Sequence, residues 1–153
     1  MASPSHPEMP CTFRFEFDSV NKVLLTRVEG RLTDEWLVEI YGAVRKYSTA
    51  TDAHASILDM SSVTEFAMSA ECVRDLAGRE PAMPDATTRP RVIVVPSPIG
   101  FGFARMFQIM GEATRPLLEV VHTLDEALAA LGIQSPQFTP LEMKAQRRAS
   151  THP

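Results

Sequence analysis

The sequence has little cysteine and no excess of positive charge, and these two shortages exclude several classes of protein. Its two cysteines, Cys11 and Cys72, lie far apart and lack the paired spacing of a zinc site or a CxxC redox motif. The 15 basic and 19 acidic residues give a formal net charge of −4, without the basic face that nucleic-acid binding usually requires. We therefore expect free thiols, no metal site, no cofactor and no nucleic-acid partner.

The sequence also lacks a hydrophobic run long enough to cross a bilayer. Its first ten residues contain no basic segment followed by an apolar one, as a signal peptide would, so we expect a cytoplasmic protein without a membrane span. A length of 153 residues with 44% hydrophobic residues suits one globular domain. Prolines near the start and a polar end predict a domain at residues 12–132, between a flexible lead at 1–11 and a flexible tail at 133–153.

Alternating aromatic residues mark the start of the domain. Phe13, Phe15 and Phe17 are separated by polar residues, which is the two-residue period of a strand with one buried face. Turn-forming residues at 18–21 precede a β-rich segment at 22–28, so we predict a β-hairpin. Because the phenylalanine strand would have an unpaired edge, a homodimer through that edge is a further expectation.

An apolar stripe follows the hairpin. We predict that Gly30 breaks the second strand and that Thr33 caps a helix that runs to about Tyr47. Large apolar residues recur at steps of three and four through this segment, which is the pattern of one buried helix face. They are Trp36, Leu37, Ile40, Tyr41, Val44 and Tyr47.

The centre of the chain combines a short apolar strand with a segment rich in hydroxyl groups. Ile57 and Leu58 predict a buried strand, and the polar residues that follow predict a loop at 59–69. Ser69 stands where the N-cap of a helix at 70–78 should be, because its oxygen can accept a hydrogen bond from a free backbone N–H of the first turn. Loops at the carboxyl edge of an α/β sheet commonly form binding sites.

The rest of the chain alternates strands and helices. We expect a surface loop at 79–90, a strand at 91–95, a helix at 99–110, a strand at 117–121 and a helix at 124–131. Thr123 and Glu126 form a capping box at the start of the last helix. This order predicts an α/β domain with a mixed, mostly parallel sheet, opened by the N-terminal hairpin and covered by about four helices.

The central segment resembles the signature loop of STAS domains, the SpoIIAA-like anti-sigma-factor antagonists, whose pattern is approximately D-L-S-G-V-x-x-x-D-S-S-G. The residues that match in register are Asp59, Ser61, Val63 and Ser69. The hairpin exit at 28–33 and the segment at 124–128 extend the resemblance to about residues 12–132. It implies the SpoIIAA-like fold and a regulatory domain that binds a protein, such as an anti-sigma factor or a kinase-like regulator.

The phosphorylation loop of the family is degenerate in this chain. In the family, a partner kinase phosphorylates a serine of the D-S-S-G segment, and the charge added at a helix N-terminus switches partner binding. Here the segment reads Ala67-Met68-Ser69-Ala70, without the acidic residue, one serine and the glycine. Ser69 is the matching hydroxyl that remains, and it serves either as a phosphorylation site or only as a helix cap.

The leading hypothesis is therefore a non-catalytic regulatory domain that binds a partner through the segment Asp59 to Ser69 and the following helix. Methionine and phenylalanine in this segment would add adaptable apolar contact surface. The candidate residues for phosphorylation or partner binding are Ser69, Asp59, Ser61, Ser62, Phe66 and Met68.

Two other functions stand beside this one. The first is a small-ligand or lipid-binding domain of the SpoIIAA-like group, with a pocket formed by Trp36, Tyr41, Phe103 and Phe107. The second is an enzyme, but His54 and His122 flank strands without an acid or nucleophile at motif spacing. We therefore expect that the chain is not an enzyme.

Overall fold

A mixed six-stranded sheet organises the computed structural model, which describes residues 10–142. The elements follow as β1 (Thr12–Asp18), β2 (Val23–Thr33), α1 (Asp34–Thr51), β3 (Ala55–Ala67), α2 (Ala70–Ala77), β4 (Arg91–Val94), α3 (Pro98–Met110), β5 (Leu118–Val121), α4 (Leu124–Ala130) and β6 (Thr139–Pro140). The strand order is β5-β4-β3-β2-β1-β6. β1 is antiparallel to both of its neighbours, whereas β2 to β5 are parallel. The predicted fold class is confirmed.

Helices cover both faces of the sheet, and each face has its own core. α1, α2 and α3 cover one face, where Ile40, Val73 and Ala104 belong to one buried cluster. Ile93 of β4 faces this same cluster. α4 covers the other face, where Ala127 packs in a second cluster. Both faces of β4 are therefore buried, as its continuous apolar sequence indicates.

The predicted hairpin of β1 and β2 is present, and Asp18 holds its turn. The Asp18 side chain is fully buried and accepts hydrogen bonds from Val20 N at 3.0 Å, Asn21 N at 2.9 Å and Asn21 Nδ2 at 2.7 Å. Burial alone would raise the pKa of Asp18, but these bonds and a fourth from Gln137 N lower it below the ordinary value. The ionised carboxylate is therefore part of the folded structure.

β3 is much longer than the strand predicted from Ile57 and Leu58. It continues to Ala67 because β2 pairs with it in parallel as far as Thr33, which lies opposite Ala67. The prediction of a loop at 59–69 is therefore wrong for residues 59–67. Hydroxyl groups favour turns in a sequence pattern, yet here the neighbouring strand supplies the backbone partners that keep the segment extended.

Gly30 lies inside β2, which corrects the predicted strand break. Its φ is +91°, and a Cβ atom at this position would lie 2.2 Å from the carbonyl oxygen of Pro10. Glycine is therefore required by the close approach of two backbone segments. The register of the pairing between β2 and β3 shifts between Arg27 and Glu29 and again between Gly30 and Arg31.

Residues 133–142 pack on the domain, whereas the sequence predicted a flexible tail from residue 133. β6 pairs with Glu16 and Phe17 of β1, and Phe138 packs against the core beneath α4. Residues 133–142, which are largely polar, are therefore attached to β1 near the start of the chain. They also cover part of the β1 edge through which a homodimer was expected.

The remaining predictions about the ends and boundaries differ from the structure only in detail. The predicted lead and tail fall largely on residues 1–9 and 143–153, outside the described residues. Cys11, at the end of that lead, is buried. α1 continues four residues beyond Tyr47, to Thr51, and the capping box of α4 is present. Within residues 10–142, no helix is both long and apolar enough to span a membrane.

Candidate functional site at the amino end of α2

The N-termini of two helices meet at one edge of the sheet. β2 and β3 are adjacent parallel strands, and Thr33 lies opposite Ala67 at their carboxyl ends. Thr33 caps α1 by accepting from the backbone N–H of Trp36, and Ser69 caps α2 by accepting from that of Cys72. The sequence predicted both caps. Because helix N-termini carry partial positive charge, this edge favours negatively charged groups.

Asp34, the first residue of α1, joins the two helices through Ser69. The backbone N–H of Ser69 donates to Asp34 Oδ1 at 2.6 Å, and its hydroxyl donates to Asp34 Oδ2 at 2.8 Å. The same hydroxyl oxygen accepts from Cys72 N at 3.1 Å. Ser69 is nevertheless exposed to solvent. It is therefore an accessible hydroxyl that caps one helix while it is hydrogen-bonded to the start of another.

These contacts favour an ionised Asp34 and a protonated Cys72. The backbone hydrogen bond from Ser69, followed by that from its hydroxyl, lowers the pKa of Asp34 below the ordinary value. Burial raises the pKa of Cys72, and so does the negative charge of Asp34. The Cys72 thiol therefore lacks the thiolate character of a reactive cysteine at neutral pH.

Asp34 is a site residue that the sequence did not reveal. It lies 35 positions from Ser69, and an acidic residue in a first helical turn is common for electrostatic reasons alone. The parallel pairing of β2 with β3 brings the two helix starts together. Knowledge of that pairing, and of the full length of β3, would have predicted the contact.

Asp59 has a structural role within β3. The residue is 6% exposed, and its Oδ1 accepts from Ser61 N at 3.0 Å and from Ser61 Oγ at 2.6 Å. Its Oδ2 accepts from Arg27 Nη1 at 3.2 Å. Ser61 and Ser62 are exposed. The three candidate serines are therefore exposed, whereas Asp59 is buried and holds Ser61 and Arg27 by hydrogen bonds.

Phe66 and Met68, which the sequence predicted to add apolar contact surface, differ in exposure: Met68 is buried, whereas Phe66 is partly exposed. Met68 is 8% exposed and joins the core under α1, α2 and α3. Phe66 is half-buried and packs on the start of α3, where a Cβ atom on Gly100 would lie 2.4 Å from its ring. Apolar side chains at this edge are drawn to α3 because that helix begins directly beside it.

Comparison with known proteins identifies the fold. No protein-family model matches the chain, and neither does any curated protein sequence. The structure of the anti-sigma factor antagonist SpoIIAA in its unphosphorylated form matches with a TM-score of 0.56 and 18% identity, over 81% of this chain and 100% of SpoIIAA. An anti-sigma factor antagonist from Mycobacterium paratuberculosis matches with a TM-score of 0.52 and 22% identity, over 80% of this chain and 95% of its own. The chain has the SpoIIAA-like fold of STAS domains.

The domain contains an apolar cavity of about 60 Å³ between the sheet and helices α1, α2 and α3. Three of the four residues predicted to form a pocket, Tyr41, Phe103 and Phe107, line it. The fourth, Trp36, packs edge-on against Phe13, with ring centroids 6.1 Å apart. Three of the four predicted pocket residues therefore line one cavity, whereas Trp36 does not line it.

Three side chains of types that often act in catalysis, those of His54, Asp59 and Cys72, lie in separate surroundings. His54 is exposed, with Nε2 3.9 Å from Asp52 Oδ2, whereas Asp59 is bonded within the sheet and Cys72 lies beside Asp34. In the part of the chain that the structure describes, no group of three His, Cys, Asp or Glu side chains is arranged to hold a metal ion.

Proposed function

We propose that this chain is a non-catalytic regulatory domain that binds a protein partner through a recognition edge, defined as Ser61, Ser62, Ser69 and the exposed side of α2. One observation carries the proposal: Ser69 is an exposed hydroxyl at a helix N-terminus, hydrogen-bonded to the carboxylate of Asp34. The two structural neighbours are anti-sigma factor antagonists by name. An anti-sigma factor or a kinase-like regulator is therefore the first class of partner to test.

Phosphorylation of Ser69 would change this site in two opposed ways. The phosphoryl group would remove the proton that the hydroxyl donates to Asp34, and it would add a charge of about −1.5 to −2 at neutral pH. The N-terminus of α2 attracts that charge, while the carboxylate of Asp34 repels it. The phosphorylated chain would therefore present a new charge and a weakened contact between α1 and α2 at the recognition edge.

The exposed side of α2 contributes charges of both signs. Glu71 and Asp75 are exposed on this helix together with Arg74. Mixed charges of this kind contribute more to partner specificity and association rate than to affinity. Ser69 lies at the amino end of this helix. A change in its charge would therefore alter recognition of the partner directly.

Affinity capture with variants of the full chain tests the proposal. Wild type, S69A, S69D and the control S97D are used as baits in extracts of the source cells, and bound proteins are quantified by mass spectrometry together with phosphate at Ser69. S97D is a matched control because Ser97 also caps a helix. We expect a partner whose binding changes in S69D but not in S97D. Equal binding by all four baits would refute the proposal.

A small-ligand or lipid-binding domain is the second candidate, and it rests on the apolar cavity that Tyr41, Phe103 and Phe107 line. Its volume of about 60 Å³ is far below the roughly 300–1,000 Å³ of usual ligand pockets. A lipid chain therefore does not fit this cavity without a rearrangement of its walls. Native mass spectrometry of the purified chain should accordingly show no bound lipid, and a stoichiometric lipid adduct would reverse this ranking.

A further inference from the structure

α3 carries apolar side chains on the side that faces solvent as well as on the side that faces the core. Ala104 is buried, whereas Ile99 and Ile109 are 67% and 61% exposed. Arg105 is the one charged residue among the 13 residues of this helix. A surface helix ordinarily presents a polar side to water, and an exposed apolar side is typical of an interaction surface. The outer side of α3 is therefore suited to contact with another apolar surface.

The outer apolar residues of α3 follow one another at alternating steps of three and four. This spacing places them on one side of a helix and is the pattern by which helices pair with each other. The chain makes a further hydrogen-bonded turn after the helix, in which Arg115 N donates to Gly111 O at 2.9 Å, and the last residue of the series lies in this turn. We define the outer stripe as Ile99, Gly102, Met106, Ile109 and Ala113. Met106 is half-buried, and the other four residues are exposed.

Two exposed charges of opposite sign flank the outer stripe. Arg105 and Glu112 are seven positions apart, so they lie along the same flank, two turns from each other. Arg105 Nη1 donates to the uncharged side chain of Gln108 at 2.6 Å, and within residues 10–142 no ion pair includes Arg105 or Glu112. Both charges therefore remain available to a partner.

We propose that the outer stripe forms a homodimer in which α3 packs antiparallel to α3 of a second copy. With Met106 of one copy opposite Ile109 of the other, twofold symmetry repeats this contact and places Gly102 opposite Ala113 at both ends. The small residues at the ends allow the two helices to approach closely. A Cβ atom on Gly102 would meet no atom within 4 Å, so the space beside it is open in the single chain.

The flanking charges favour a second copy as the occupant of the outer stripe. In the antiparallel alignment, Arg105 of each copy lies beside Glu112 of the other, which gives two ion pairs by symmetry. A parallel alignment in register would place each residue beside its own kind and would pair neither charge. One chain therefore supplies both an apolar surface and the charges that complement it.

The expected dimer is weak. One pair of short helices buries less than the roughly 800 Å² per partner of a standard interface, so we expect a dissociation constant of about 10–100 μM. Sedimentation equilibrium of the full chain from about 1 to about 500 μM covers this range. No residue of the outer stripe belongs to the recognition edge, so the result is independent of the proposed function.

I109E places a carboxylate at the centre of the outer stripe and should abolish the dimer up to about 500 μM. V38E is the matched control, because Val38 is an exposed apolar residue of α1 outside the stripe, and this variant should dimerise as the wild type does. Ile109 is exposed, so its replacement should leave the urea midpoint of the monomer almost unchanged. Urea unfolding of both variants checks that they are folded.

Charge reversal tests the alignment of the two helices. R105E brings two acidic residues together in each of the two pairs and should weaken the dimer at least about tenfold. Adding E112R restores opposite charges in exchanged positions, and should return the dissociation constant to within about threefold of the wild-type value. This rescue distinguishes the antiparallel pair from a general effect of charge, and it does not require that I109E folds.

The proposal is overturned if the wild type is monomeric up to about 500 μM, if V38E weakens the dimer as much as I109E does, or if E112R does not rescue R105E. A dimer that persists in I109E would also overturn it and would indicate another interface, such as the open part of the β1 edge. Binding of a monomeric wild type, but not of I109E, to phosphatidylcholine vesicles would assign the stripe to a membrane surface and would likewise overturn the proposal.

Discussion

Substituting aspartate for Ser69 places two carboxylates together at the junction of α1 and α2. In the wild type, the Ser69 hydroxyl donates to Asp34 Oδ2 at 2.8 Å while it caps α2. Aspartate caps a helix about as well as serine does, but its ionised side chain has no proton to donate to Asp34. The substitution therefore removes the hydrogen bond between α1 and Ser69 while it keeps the cap of α2.

The size of the effect follows from the short distance between these groups. Two unit charges about 4 Å apart repel by about 1 kcal/mol in water and by about 4 kcal/mol in the effective dielectric near a protein surface. The N-terminus of α2 offsets about 0.3–1 kcal/mol of this repulsion. We expect S69D to lower the free energy of unfolding by about 1–3 kcal/mol. In a D34N background it should cost less than about 0.5 kcal/mol.

Urea unfolding of the wild type, both single variants and the double variant measures this coupling. S97D is the control, because Ser97 caps α3 by accepting from Gly100 N at 3.0 Å and has no carboxylate partner among the described residues. Added salt should reduce the coupling, since the site is exposed. The reasoning is refuted if S69D costs the same with and without Asp34, or if S97D destabilises the chain as much as S69D does.

Other predictions concern the hairpin turn, the dependence of stability on pH and the glycine in β2. D18A removes a buried carboxylate that accepts four hydrogen bonds and should cost about 2–3 kcal/mol in urea unfolding; a loss below about 0.5 kcal/mol would contradict its structural role. The pKa values of Asp18 and Asp34 are lowered by folding from 3.8, so both stabilise the fold above that pH. This stabilisation should be lost as the pH falls through the lower folded-state values, and D34A should show a shallower decline than the wild type; an equal decline would exclude Asp34 as a contributor. G30A should cost about 1–3 kcal/mol because of the positive φ and the nearby Pro10 carbonyl, whereas G42A, which meets no atom within 4 Å, should be neutral or stabilising.

The local features of this fold could be predicted from the sequence because each depends on a few consecutive residues. The caps at Thr33, Ser69 and Thr123 are all present, since a hydroxyl before an apolar-periodic segment acts within a single turn. The hairpin and the order of strands and helices follow from local periodicity in the same way. The resemblance to STAS domains rested on a handful of matched positions and gave the correct fold.

The errors arose where contacts between distant segments decide the structure. The length of β3 depends on pairing with β2, and the packing of residues 133–142 depends on pairing with β1. Ser69 and Asp34 meet for the same reason. The packing of Phe66 against Gly100 depends on α3, which comes more than 30 residues later in the chain. No pattern within a short window contains this information, because the partners lie elsewhere in the sequence.

The attachments of α2 at its two ends determine how that helix can respond to change. Eight residues are too few for an isolated helix to be stable, so its persistence relies on neighbours. Asp34 binds the amino end through Ser69, and Arg115 binds the carboxyl end through backbone carbonyls. Between these two anchors, Val73, Leu76 and Ala77 are buried and hold α2 on the domain. Modification of Ser69 would therefore act on the amino end of the helix, while its core contacts and the bonds to Arg115 remain.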